Sequence, residues 1–135
     1  MKENKIKKKL SKYIFIGPLP PPNYGQSVAF QDLTNKLKSD NDLTLINIQS
    51  KFVSPGQGFS IIRAFEFITI IINYIFALLR TKRNVNVYIT VGQSSASFIR
   101  DFFFINLGFI FGRKVYAHLK GGNFLNFYEK SNIIL

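Results

Sequence analysis

The chain has 135 residues, 47% of them hydrophobic, and a formal net charge of +11. That length suits one domain with a core of several packed layers and leaves no room for a second full one. With no cysteine and a single histidine, the composition excludes disulfides, thiolate metal sites and a histidine zinc cluster, and it is compatible with a reducing, cytoplasmic compartment.

The charge is unevenly placed. Residues 1–12 hold Lys2, Lys5, Lys7, Lys8, Lys9 and Lys12 against Glu3 alone. Such a basic tail is read either as a solvated extension or as attraction to anionic lipid, worth roughly 1 kcal/mol per basic residue near the surface. Nucleic acid would also suit the charge, but no recognisable binding motif accompanies it, and none is expected as a partner. Only a few apolar residues follow the lysines before prolines intervene, so a secretory signal is excluded.

Residues 13–16 are apolar in both alternating sets and predict a strand buried on both faces, ending at Gly17. Pro18, Pro20, Pro21 and Pro22 cannot continue it, because each lacks the amide donor. The chain restarts at Tyr24-Gly25-Gln26-Ser27 as a helix, in which Ala29, Leu33 and Leu37 recur every four residues, with Val28 and Phe30 beside them, opposite Gln31, Asp32, Lys36 and Lys38. Residues 43–48 predict a second strand, and residues 49–60, with Pro55, Gly56 and Gly58, a loop. A long apolar helix is expected over 61–80, closed by Arg80, Lys82 and Arg83.

Val85, Val87, Ile89 and Val91 alternate with Asn86, Tyr88 and Thr90 in a third strand, which runs into an elbow at Gly92-Gln93-Ser94-Ser95. A helix over 95–111 ends at Gly112. Residues 115–119 form a fourth strand, and Lys120-Gly121-Gly122-Asn123 opens a last helix. The apolar runs at 67–79, interrupted by Asn73, and at 102–111, interrupted by Asn106 and Gly108, are shorter than the ~20 residues of a transmembrane helix, so buried or membrane-surface helices are expected. The order β-α-β-α-β-α-β-α predicts an α/β, Rossmann-like parallel sheet with helices on both faces. Ligands of such sheets lie beyond the carboxyl ends of the strands, where all three glycine-bearing elbows fall.

Each elbow has a purely structural reading as a tight turn. The first fits neither the dinucleotide fingerprint nor the Walker loop. Unpaired amides at its helix start, around Gly25, Gln26 and Ser27, nevertheless make a natural anion seat. His118 and Lys120 share a face by period-two geometry, and Lys120 beside Gly121, Gly122 and Asn123 makes a second competent diphosphate seat. His118 is either a core histidine or a site residue. The carboxylates are scattered and offer no acid–base pair, and no nucleophile elbow exists. Arg100-Asp101 is either a structural pair or a place where Arg100 meets an anionic acceptor.

The segments IFIGPLPPPNYGQS, VYITVGQSSASFIRDFFFI and GRKVYAHLKGGNFLNFYEK together resemble the amino-terminal half of bacterial GT-B glycosyltransferases of the family 4 type, which assemble cell-surface polysaccharides. The resemblance runs from Lys12 onward. It implies a retaining enzyme of two Rossmann-like domains, the first binding the acceptor and the second most of a nucleotide sugar. It implies that Gly25, Gln26 and Ser27 approach the donor diphosphate, and that the end of the fourth strand, His118 or Lys120, contacts the transferred sugar. Residues 13–135 are then the acceptor-side domain, inactive alone, with the second domain missing or separately encoded. No metal or cofactor is implied; the nucleotide sugar is a substrate, and a lipid-linked or glycan acceptor the other. Members of this class work at the inner face of the cytoplasmic membrane, which makes an anionic membrane surface a further expected partner. The rival readings are a basic membrane-surface or adaptor module without catalysis and a small nucleic-acid binder.

Overall fold

In a computed structural model, which describes residues 11–39, 41–50, 61–92, 94–119, 126 and 129, the apolar runs of the sequence become four strands and the periodic stretches between them three helices. In chain order these are β1 (Ser11–Gly17), α1 (Gly25–Lys38), β2 (Asn41–Asn47), α2 (Ile61–Arg80), β3 (Asn86–Val91), α3 (Ser95–Ile110) and β4 (Val115–Leu119). All pairings are parallel, in the order β2-β1-β3-β4. This is an α/β, Rossmann-like fold.

Side-chain alternation along β1 assigns the two faces. Ile14 and Ile16 join Val87 and Ile89 of β3 on one of them, and Tyr74 and Leu78 of α2 with Phe104 of α3 close over that layer. Phe15 points the other way, toward Phe30 of α1 and into a stack with Tyr88, the ring centroids 4.7 Å apart. Hence α1 covers one face and α2 with α3 the opposite one, which is what right-handed crossovers demand when β2 and β3 flank β1 on different sides. The Tyr74 ring meets Phe104 edge-on at 5.6 Å. Gly108 lets α3 approach so closely that a Cβ there would lie 2.6 Å from Val115 Cγ2 and 2.9 Å from the Tyr74 hydroxyl.

Several expectations are corrected. Ser11 and Lys12 belong to β1 rather than to the basic tail, and Lys12 pairs with Asp42 across to β2 at 3.1 Å. The buried stripe of α1 is Ser27, Phe30 and Thr34, while Ala29 and Val28 are exposed and Leu33 and Leu37 lie at its margin. Phe30 decides this rotation: its ring covers Gly17, where a Cβ would stand 2.5 Å from it, so the helix turns Phe30 inward. α2 has its expected bounds, and only its apolar extent exceeds the 67–79 run. The helix is 20 residues long, and its most apolar 18-residue window has a mean hydropathy of 1.9, enough by length and composition alone to cross a membrane. Gly112 takes the left-handed conformation (φ 68°) that ends α3. Residues 1–10 of the tail, the 51–60 stretch of the loop, and Gln93 of the second elbow lie outside the described residues. Of the expected last helix, Asn126 and Glu129 are helical and the rest lies outside too.

Candidate anion-binding site at the carboxyl edge of the sheet

Because α1 and α3 leave β1 and β3 toward opposite faces, the switch point of the sheet lies beyond the carboxyl ends of these two neighbouring strands, where folds of this kind open their ligand crevice. One wall is the 18–24 segment with the start of α1. Ser27, fully buried, organises it: its Oγ accepts from the Tyr24 amide (3.1 Å), and the hydroxyl points at the carbonyls of Pro22 (2.8 Å) and Tyr24 (2.9 Å). The Val28 amide is the first to reach a helical carbonyl, that of Tyr24 at 3.0 Å. The amides of Gly25, Gln26 and Ser27 therefore precede the helical ladder and carry its positive partial charge. Around Gly25 the space is open, with no atom within 4 Å of a notional Cβ.

β2 braces this wall. Asn47 Oδ1 accepts from the amides of Leu19 (3.0 Å) and Gln49 (2.9 Å), and the Tyr24 hydroxyl donates to Gln49 Oε1 (2.8 Å). The opposite wall is the β3–α3 turn. Ser94 caps α3 by accepting from the Ser97 amide (3.2 Å). Asp101, fully buried, accepts from the Gly92 amide through Oδ2 (2.7 Å) and from Arg100 through Oδ1 (Nε 2.9 Å, Nη2 2.8 Å). Burial pushes the Asp101 carboxyl up, against the opposing pull of Arg100 and the Gly92 amide. The Arg100 charge also reaches the other wall, where it pulls down a Tyr24 phenol that burial pushes up. Arg100 is held against the buried Asp101 carboxylate, and its charge acts as far as Tyr24.

The expected site residues divide into three groups. Gly25, Gln26 and Ser27 begin α1 beyond β1, with the Ser27 side chain spent on the loop, and Arg100 lies in α3 beyond the neighbouring β3, its charge acting as far as Tyr24. His118 lies on β4, an outer strand among the described residues, opposite Thr90 in register, and its Nδ1 meets the Tyr88 hydroxyl. Two strand spacings, about 10 Å, separate it from β1. Lys120, Gly121, Gly122 and Asn123 lie outside the described residues.

Nothing in the sequence singles out Asn47, Gln49 or Thr90, whereas Asp101 is the structural partner of Arg100 that the Arg100-Asp101 reading allows. Thr90 is fully buried at the end of β3, and its hydroxyl has no partner among the described residues. Alternation along β3 could have placed Thr90 inward, since it shares a face with Tyr88. Among the described residues no three His, Asp or Glu side chains come together to hold a metal ion. Comparison with family models, with curated proteins and with solved structures gives no match.

Proposed function

We propose that the chain is the acceptor-side domain of a retaining glycosyltransferase that moves a hexose from a nucleotide sugar to a lipid-linked or glycan acceptor in cell-surface polysaccharide synthesis. The class comes from the resemblance of the three glycine-bearing segments. The observation that supports the reading is the open start of α1 at Gly25, beyond β1, beside the Asp101-held Arg100 of α3, beyond the neighbouring β3. In this chemistry the developing charge is on the departing diphosphate, and preorganised amides and a cation aimed at it lower the barrier with little covalent work by side chains. Asp101 keeps Arg100 from collapsing onto solvent, and the Ser27 clasp keeps the amides of α1 unobstructed. The acidic residues and the nucleoside pocket would come from a second domain, and a sugar contact from His118 or Lys120.

Calorimetric titration with uridine diphosphate and with inorganic diphosphate tests this. Both are expected to bind, and Arg100→Ala to weaken both about tenfold, the loss of one charge-assisted contact. Failure of either to bind, or affinity indifferent to Arg100→Ala, refutes the diphosphate seat. Restoration of sugar transfer on adding a separately made carboxy-terminal domain would test the reaction class.

A further inference from the structure

The two helix layers of this protein differ in kind. α1 turns Gln31, Asp32, Asn35 and Lys36 outward, the ordinary surface of a water-soluble domain. On the other side, α2 exposes Phe65 (68%), Ile72 (47%) and Phe76 (53%), and α3 exposes Ile99 (58%), Phe102 (57%) and Ile110 (77%). Only 11% of the most apolar window of α2 is buried inside the protein. The two helices touch, Phe67 of α2 meeting Phe103 of α3 at 6.1 Å, so these exposed side chains belong to one layer, the kind of apolar exposure that marks an interaction site.

Polar groups on this layer are turned away or masked. Thr69 folds its hydroxyl onto the Phe65 carbonyl (2.9 Å), and Asn106 its amide onto the Phe102 carbonyl (2.7 Å), each four residues back on its own helix. Glu66, Asn73 and Arg80, spaced seven apart, share one margin of α2. Charge identifies what lies opposite. From residue 61 to 119 the acidic side chains are Glu66, which accepts from the Ser50 hydroxyl (2.6 Å), and Asp101, which is buried against Arg100. Exposed Arg80, Lys82, Arg83 and Lys114 stand at the carboxyl ends of the two apolar helices, with no exposed carboxylate among them.

We infer that the outer face of α2 and α3 docks in the plane of an anionic bilayer, with its apolar residues among the acyl chains and this basic rim on the lipid phosphates. Such a surface combines the two ingredients of interfacial binding, buried apolar area and attraction to anionic lipid. The inference is independent of the diphosphate reading and of residues 1–10. α2 does not span: it joins β2 to β3, both hydrogen-bonded to β1, so it must lie along the sheet. Pulling it across a membrane would uncover Ile14, Ile16, Val87 and Ile89, which are fully buried beneath it.

The chain has no tryptophan, so a single introduced one reports depth without background. Phe102→Trp is expected to shift its emission to the blue on vesicles of phosphatidylcholine with phosphatidylglycerol, whereas Gln31→Trp, on the outer face of α1, is expected not to shift. Phe102→Glu should lower cosedimentation with these vesicles on the order of tenfold, and each charge removed from Arg80, Lys82 or Arg83 about fivefold. Deleting residues 1–10 should leave substantial binding, and alkaline carbonate should release the protein. Circular dichroism checks that the variants, all at exposed positions, remain folded. Binding lost with residues 1–10 but indifferent to Phe102→Glu, resistance to carbonate, or a Phe102-dependent dimer that ignores vesicles would each overturn the inference.

Discussion

Gly25 and Gly92 open the two walls of the crevice, and the same substitution, glycine to alanine, should move stability in opposite directions at them. At Gly25 a Cβ meets nothing within 4 Å and φ is not positive, so alanine costs no strain and restricts the unfolded chain. The expected gain is about 0.4–1 kcal/mol. At Gly92 the Cβ would lie 2.4 Å from Ser97 Cβ and 3.0 Å from Ser97 Oγ, with Asp101 Oδ2 at 3.5 Å. Because Ser97 is fixed in the first turn of α3 and the Gly92 amide is committed to Asp101, the backbone must shift, at a cost of about 1–3 kcal/mol. Thermal melts should separate the two variants by several degrees either side of the parent. Ser97→Gly removes the clash, so Gly92→Ala should cost much less in that background, and a double-mutant cycle should show favourable coupling. Gly25→Ala, though more stable, should bind inorganic diphosphate about tenfold more weakly, because its Cβ enters the space an anion would use. A Gly92→Ala cost that is the same with and without Ser97, or a destabilised Gly25→Ala, would refute this account of the two walls.

Arg113 is buried at the end of α2, where its Nη2 donates to the carbonyls of Leu78 (2.6 Å) and Thr81 (2.7 Å); Arg113→Met should cost about 2–3 kcal/mol and speed amide exchange in the last turn of α2 specifically. Asp101 has a carboxyl raised above its unfolded value, so its contribution to stability is fully present below the unfolded pKa and is lost as pH rises through the folded one. The parent should therefore lose stability relative to Asp101→Asn as pH rises from about 4, and parallel melting curves across that range would contradict it. Phe104→Ala empties a fully buried site between Tyr74 and Phe67 and should cost about 3–5 kcal/mol by urea titration.

How much of this was legible in the sequence depended on how local the cause was. Alternation gave β3, length and apolarity gave α2 with both of its ends, and Gly112 marked the stop of α3, because each is set by residues within a few positions. The rotation of α1 was misread, since it is fixed by Phe30 meeting Gly17 on another element. Gly25, Gln26, Ser27 and Arg100 are readable from turn chemistry and charge. Asn47, Gln49 and Thr90 are not, because their importance arises only when β2 and β3 arrive on either side of β1. Arg100-Asp101 is readable in the sequence as a structural pair; the burial of its carboxylate comes only from the packing of α3 against the end of β3.

The strand order has a consequence for synthesis. β1 pairs with β2 almost at once, but its other flank waits for β3, with the whole of α2 translated in between. Throughout that interval the nascent chain presents an open hydrogen-bonding edge and a 20-residue apolar helix with only β1 and β2, not β3 or α3, to pack against. The window between emergence of Arg80 and of Val91 from the ribosome is thus when this protein most needs a chaperone or a nearby bilayer, and slowing translation there should lower its soluble yield.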